Sequence, residues 1–346
     1  MAKSHLGKKK GEKCFYGVSV VRKRYFSNYL RGRMKGKWAV TGASGFVGKP
    51  LCDFLEASGE RVDRLVRKAK SESEKGIGDI GPESQWASVL SGCAGIIHLA
   101  ARVHLMQDPS VDPLFEYRKV NTAGTLELAK QAAEQGVRRF IFISSVKVNG
   151  ESGFFSPFDS PAPSDPYSIS KLEAEEGLKK ISQKTGMELV VLRPPLIYGP
   201  GVRANFYKLI KAVDRGLPLP LGGIKNRRSL IFLRNLLDAI KTVMYQPQAA
   251  GKTYLLSDNE VVSTSDLIRL ISKALGRKTK LLNISPKLIE VVARLVRRDK
   301  MAERLLSNLE IDSSYFKKEM NWVPPYTLVQ GIAETVHWYQ AENNYD

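Results

Sequence analysis

Tyr167 and Lys171 stand four residues apart in Tyr167-Ser168-Ile169-Ser170-Lys171. On a helix that spacing puts both side chains on one face, where the ammonium can lie beside the phenol and stabilise its anion. An unperturbed tyrosine titrates at about 10, so a neighbouring cation is what makes it a usable acid or base at neutral pH. A second chemical feature lies upstream: Thr41-Gly42-Ala43-Ser44-Gly45-Phe46-Val47-Gly48 follows a short apolar strand and opens an amphipathic helix that ends at Ser58-Gly59. The glycines at 42, 45 and 48 let the backbone approach a pyrophosphate, whose charge the helix N-terminus stabilises. A dinucleotide turn and a proton-transferring tyrosine in one chain predict a nicotinamide-dependent redox enzyme.

Both features require strand ends set against helix starts, and from residue 35 the chain alternates in that way. Strands are expected at 37–41, 61–66, 95–99, 139–144 and 188–193, and helices at 46–57, about 114–135 and 166–185. That order predicts an α/β fold, a Rossmann-type doubly wound parallel sheet, with ligands bound beyond the carboxyl ends of the strands. After residue 194 the spacing becomes irregular, with Gly199-Pro200-Gly201, Pro218, Pro220 and Gly222-Gly223 dividing short elements. The expected division is an NAD(P)-binding domain over 35–193 and a smaller C-terminal substrate lobe, mainly 194–346.

The 346 residues, 43% of them hydrophobic, suffice for such a unit with an appended lobe. Cysteines 14, 52 and 93 are odd in number and show no metal-ligand spacing, which points to a reduced, cytoplasmic compartment and no metal site. No apolar run reaches the roughly 18 residues of a membrane-spanning helix, and the start lacks the apolar core of a secretory signal. The net charge of +19 is unevenly spread, since residues 1–33 carry ten Lys or Arg against the single acid Glu12. That segment reads as a basic disordered tail, or as sequence upstream of a start at Met34; a membrane-surface or nucleic-acid-binding arm is the functional alternative. No nucleic-acid partner is expected of the folded part.

Five motifs fall in the order of a known family: the glycine turn, Ile96-Ile97-His98-Leu99-Ala100-Ala101, Asn121-Thr122-Ala123-Gly124-Thr125, Ser144-Ser145, and Tyr167 with Lys171. Over residues 37 to about 340 the chain resembles the extended short-chain dehydrogenase/reductase family, in its NAD-dependent epimerase/dehydratase group. The resemblance implies that Gly42, Gly45, Phe46, Val47 and Gly48 line the cofactor turn and that Ala100, Ala101 and Pro194 lie against the cofactor. It also implies that Ser145 hydrogen-bonds the reacting sugar oxygen while Tyr167 transfers the proton and Lys171 also holds the nicotinamide ribose. Asn121 would order the active-site helix or join a proton relay. His98, inside an apolar strand, reads as structural. In the second strand Val66 stands where the family's ribose-binding acid falls and is followed by Arg67 and Lys68, which tilts the expectation toward NADP over NAD. Asp79 and Ile80 resemble the loop that reads the adenine edge.

Further on, Arg193-Pro194-Pro195-Leu196-Ile197-Tyr198-Gly199-Pro200-Gly201, Asn205-Phe206, Leu219-Pro220-Leu221 and Arg228-Ser229-Leu230-Ile231-Phe232 are similar to the nucleotide-sugar branch. In that branch the residues matching Asn205 and Arg228 meet the diphosphate, and the segment ending at Leu221 edges the uracil, so the implied substrate is a UDP-sugar. Two positions depart from the epimerase pattern: Leu196 stands where UDP-galactose 4-epimerases carry a sugar-contacting asparagine, and Asn149 replaces a tyrosine. With Pro194-Pro195, Lys147 and Asn226-Arg227-Arg228-Ser229, they make the chain look more like the UDP-4-keto-6-deoxy-N-acetylhexosamine 4-reductases of surface polysaccharide synthesis. The expected reaction is hydride delivery to carbon 4 of such a sugar. The rivals are a 4-epimerase using the same triad, a hydroxysteroid or flavonol-type reductase, and a non-catalytic nucleotide-sensing regulator. A homodimer through a helix pair that includes 166–185 is also implied.

Overall fold

Parallel strands cannot be joined by tight turns, so each needs a crossover, and the alternation in the sequence supplies them. The computed structural model describes residues 36–103, 110–295, 303 and 305–343; the tail expected over 1–33 and Met34 lie outside them. In chain order the first elements are β1 (Lys37–Thr41), α1 (Gly48–Ala57), β2 (Val62–Val66), β3 (Glu74–Gly76), α2 (Ala87–Leu90), β4 (Cys93–His98), α3 (Pro113–Tyr117), α4 (Thr125–Glu134), β5 (Arg139–Ile143), β6 (Gly153–Phe155), α5 (Pro166–Thr185) and β7 (Glu188–Arg193). They are followed by β8 (Leu196–Tyr198), α6 (Ala204–Asp214), β9 (Arg228–Phe232), α7 (Leu233–Tyr245), β10 (Lys252–Leu255), β11 (Val261–Val262), α8 (Thr264–Leu275), α9 (Pro286–Leu295), β12 (Leu309–Ile311), α10 (Ser314–Met320) and α11 (Leu328–Asn343).

Seven strands make one parallel sheet in the order β10-β7-β5-β4-β1-β2-β3. The chain winds outward in both directions from the β4–β1 pair, and the crevice beyond those strand ends is where such sheets take ligands. All five residues of β5 are buried, and Phe140 and Phe142 pack with Leu128 and Ala132 of α4 and with Ala174 and Leu178 of α5. That packing carries α5 across the sheet and brings its first turns to the strand ends.

Sheet membership does not follow a division at residue 193. β10, from the second half, is the outer strand beside β7, while β6, from the first half, joins the smaller sheet β11-β9-β12-β6. Side chains explain the first exchange: Tyr254 and Leu255 of β10 are buried and sit in register with Leu192 and Arg193, covering an edge that β7 would otherwise expose. The second lobe packs around Tyr198, Phe206, Ile210, Phe232, Ile268 and Ile332. The helix expected over 114–135 is interrupted by a widened i→i+5 turn at Arg118–Gly124, a feature often found at functional sites. Among the described residues no helix is long and apolar enough to cross a membrane, and no group of three His, Cys, Asp or Glu could hold a metal ion.

Candidate active site

Tyr167 is placed by the way α5 begins. Asp165 caps the helix by accepting from Ser168 N at 2.7 Å, Asp165 N donates back to Ser168 Oγ at 3.1 Å, and Pro166 stands in the first turn. This reciprocal cap with a proline at its start defines where the helix begins. Lys147 Nζ holds Asp165 at 2.5 Å and Glu151 at 2.8 Å, so the loop that follows Ser145 is tied to the same cap. The Ser145 hydroxyl accepts from Lys147 N at 3.2 Å and stands near the Tyr167 phenol. Tyr117 stands edge-on to Tyr167 at 6.2 Å. Burial pushes the phenol well above the ordinary tyrosine range; the Asp165 carboxylate adds to this and the nearby Ser145 hydroxyl opposes it. As it stands, the phenol keeps its proton and can donate it.

Lys171 lies one turn further along α5 and is 2% exposed. Its Nζ donates to the Ile143 carbonyl at 2.9 Å and sits 4.5 Å from the centre of the Phe142 ring. The spacing alone suggested an ammonium against the phenol; the hydrogen bond goes instead to the last residue of β5, because the apolar strand end offers a carbonyl at that depth. Burial pulls the Lys171 pKa down to about 7, and the negative charge of Glu175 opposes the fall.

Glu175 belongs to a buried network that the sequence reading did not single out. Ser144 Oγ donates to Glu175 Oε1 at 2.5 Å, and the Arg193 guanidinium grips both Glu175 oxygens at 2.9 and 2.6 Å. Arg193 also donates to Asn149 Oδ1 at 2.9 Å. Glu175 is fully buried and Arg193 5% exposed, so the pair locks α5, the end of β7 and the loop after Ser145 into one unit. The available signal was the spacing: Tyr167, Lys171 and Glu175 recur every four residues on one helical face. Asn149, read as a departure in the sugar pocket, is 3% exposed and belongs to this network instead.

The cofactor turn fits a dinucleotide. Gly42 has φ of +67°, and a Cβ there would meet Ala100 N at 2.9 Å, while a Cβ on Gly48 would lie 2.0 Å from Gly42 O. These two glycines allow the turn to close on β4 and on α1. Gly45 is exposed, and a Cβ there would meet nothing but Gly42 O within 4 Å, which leaves its outer side open to a phosphate. α1 has no side-chain cap and no acid in its first turn, so its N-terminal N–H groups suit an anion. Val47 stands at the helix start, and the Phe46 ring lies against the core of the second lobe, 3.5 Å from where a Cβ on Gly201 would be.

His98 is structural: Nδ1 pairs with Thr41 Oγ1 at 2.7 Å and Nε2 with Thr125 Oγ1 at 2.9 Å, and burial drives its pKa down to about 3, so it stays neutral. Thr41 Oγ1 also accepts from Leu99 N and Ala100 N at 3.2 Å, placing Ala100 and Ala101 beside the glycine turn. Asn121 sits in the widened turn, accepts from Arg102 N at 2.8 Å and donates to Arg102 O at 3.0 Å and Ser170 Oγ at 3.1 Å. It thus ties the segment after β4 to α5. Pro194 is buried and its carbonyl accepts from Val146 N at 3.0 Å.

Other expected contacts are rearranged. Arg67 Nε pairs with Asp79 Oδ1 at 2.7 Å, with both side chains largely exposed. Two residues assigned to different parts of the cofactor therefore hold each other, because the strand order sets the loops after β2 and β3 side by side. Ile80 packs on Gly124, where a Cβ would lie 2.6 Å from its Cγ2. Leu221 is 7% exposed inside the second lobe's core, so its side chain does not edge an open cleft. Asn205 is exposed in the first turn of α6, and Arg228 is partly buried, with a guanidinium nitrogen donating to Ser307 O at 3.2 Å. Their neighbours Phe206 and Leu230 share one core with Leu221, which brings the three segments together.

A doubly wound sheet, a glycine turn at its switch point and a Ser-Tyr-Lys constellation at the strand ends define a nicotinamide-dependent enzyme of the short-chain dehydrogenase/reductase type. Residues 38–257 match the NAD dependent epimerase/dehydratase family, and the chain belongs to it. The chain is 38% identical to the UDP-glucose 4-epimerase of Vibrio cholerae, over 88% of its own length and 96% of that protein. It is 27% identical to a dTDP-glucose 4,6-dehydratase of Xanthomonas campestris, over 87% and 92% of the two chains. The solved UDP-glucuronic acid 4-epimerase of Bacillus cereus, in complex with NAD, superposes with a TM-score of 0.71 at 20% identity, covering 88% of this chain and 99% of that one, a likeness of fold.

Proposed function

We propose that this protein is a UDP-hexose 4-epimerase. The observation that carries the reading is the 38% identity with a UDP-glucose 4-epimerase along 96% of that relative. NAD, when bound, supplies the oxidation of carbon 4 and the return of the hydride to either face of the ketone. The chain's own part is to move one proton and hold one oxygen. Tyr167, once cofactor and substrate binding has drawn the proton off its phenol, takes the proton of the 4-hydroxyl and later gives it back, and Ser145 holds the same oxygen through its hydroxyl. Lys171 places a positive charge behind the phenol and holds the nicotinamide ribose, while Asn121 keeps α5 in place. Gly42, Gly45 and Gly48 with Phe46 and Val47 cradle the pyrophosphate; Asn205 and Arg228 take the sugar nucleotide's phosphates. The subunits pair through α5 as a homodimer. Arg67, held by Asp79, supports NAD over NADP.

A 4-keto-sugar reductase is the second reading, favoured by Leu196, which is 49% exposed where an epimerase carries a sugar-contacting asparagine. Its support from Asn149 weakens, because that residue is taken up by Arg193. Incubating the enzyme with UDP-glucose and UDP-N-acetylglucosamine, without added reductant, tests both readings. Appearance of the carbon-4 epimers is expected. No epimer from either sugar, with stoichiometric NAD(P)H consumption on a UDP-4-keto-6-deoxy sugar, would replace the epimerase with the reductase.

A further inference from the structure

α9 carries more apolar surface than the lobe beneath it uses. Ile289 packs on the second lobe's core and Ala293 is buried, and these two, four residues apart, seat the helix. A second aliphatic stripe runs along its outer side: Leu288, Val291, Val292 and Leu295 are 53%, 53%, 51% and 78% exposed. Their spacing is i, i+3, i+4, i+7, one continuous helical face. Leu282, 47% exposed in the segment leading to the helix, extends the patch. Contiguous aliphatic surface of this kind marks an interaction site.

The charges in the same stretch of chain indicate what covers the stripe. Between residues 273 and 295 the exposed cations Lys273, Lys278, Lys280, Lys287 and Arg294 are set against Glu290 alone; Arg277 lies 3.6 Å from Asp214. A second copy of this chain would have to meet the same patch across a two-fold axis, placing cations against cations. A nucleotide sugar offers hydroxyls and phosphates, which do not match four aliphatic side chains. An aliphatic helical face bordered by Lys and Arg does match the interfacial layer of an anionic bilayer, where apolar side chains enter the acyl boundary and cations meet lipid phosphates.

We propose that α9 is a membrane-surface anchor that docks this enzyme on an anionic lipid bilayer. The helix lies in the plane of the surface, with Leu288, Val291, Val292 and Leu295 inserted and Lys287 and Arg294 at headgroup level. The anchor is independent of the catalytic reading, since it uses no residue of the active site.

Co-sedimentation of the full chain with phosphatidylglycerol vesicles and with phosphatidylcholine vesicles tests it, alongside a Val291→Asp/Leu295→Asp double variant. The wild type is expected to bind phosphatidylglycerol at least about tenfold more tightly than phosphatidylcholine. The variant should lose at least about tenfold of that binding with an unchanged melting temperature. The basic residues 1–33 are present in both proteins, so their contribution cancels in the comparison. Wild-type binding in the variant, equal binding to both lipids, or no binding to either would overturn the anchor. So would sedimentation velocity showing self-association that the double variant abolishes while vesicles remain unbound.

Discussion

The catalytic unit of β5, α5 and β7 and the outer surface of the second lobe place their polar residues differently, although that lobe's core also buries Asp258, which accepts from Tyr198, Phe232 N and Asn235. In the first, Lys171, Glu175, Arg193, Ser144 and Asn149 are all at most 5% exposed; the last four are joined by hydrogen bonds, and Lys171 donates to the Ile143 carbonyl. In the second, Asn205 is exposed, Arg227 pairs with Glu310 at the surface at 2.5 Å, and α9 turns aliphatic side chains outward. A hydrogen-bonded network at low dielectric is rigid, even with Asn149 Nδ2 left over, and a proton-transferring group needs that rigidity. Asn205, proposed to meet the substrate's phosphates, can reorganise around a ligand at the surface, and an exposed pair such as Arg227 with Glu310 is worth little by itself.

The largest test of this contrast is Tyr167→Phe. Loss of a positioned proton donor should lower turnover by about 10²- to 10⁴-fold with cofactor binding retained, measured by single-turnover assay and cofactor titration. Retention of most activity would remove Tyr167 from the chemistry. Next comes Glu175→Ala, which leaves the Arg193 guanidinium buried without its carboxylate. A destabilisation of roughly 3–5 kcal/mol is expected in denaturant titration, and a change within error would mean that the network does not hold the catalytic unit together.

A smaller effect is expected at the cofactor rim. Asp79→Asn frees Arg67 for a 2′-phosphate, so NADP affinity should rise relative to NAD by up to about tenfold. If the ratio is unmoved in paired titrations, Arg67 lies outside reach of the adenosine ribose. Glu175→Gln then probes charge with shape preserved. Lys171, which burial holds at a pKa of about 7, loses its proton as the pH rises through that value, and Glu175 resists the loss. The alkaline limb of the rate profile should therefore move to lower pH in the variant; a stationary limb, or one moving upward, would uncouple the two residues. At the bottom of the scale, Arg227→Gln removes an exposed pair, and its melting temperature should match the wild type.

Much of the catalytic unit was legible because its signals are local. The glycine turn, the alternating strands and the start of α5 at Asp165-Pro166 depend on residues close in sequence, and the expected strands and helices there lie within a few residues of those observed. The widened turn at Arg118–Gly124 was not legible, since its residues are compatible with an unbroken helix and its geometry comes with Asn121 reaching Arg102 and Ser170. Leu221 was ambiguous for another reason: an aliphatic residue beside prolines suits a ligand edge and a core equally, and the packing of the second lobe turned its side chain into the core.

The amino-acid order by itself determined the alternation of elements, the dinucleotide turn and the shared face of Tyr167 and Lys171, because helical and strand periodicities and glycine's backbone freedom act over a few residues. Tertiary structure alone decided that Lys171 bonds Ile143 rather than the phenol, that Glu175 finds Arg193 eighteen positions away, and that Arg67 meets Asp79. It also decided that β6 and β10 exchange sheets. Each of these depends on which distant chain segment fills a given space and which buried polar group must find a partner there. Local propensity carries no information about either.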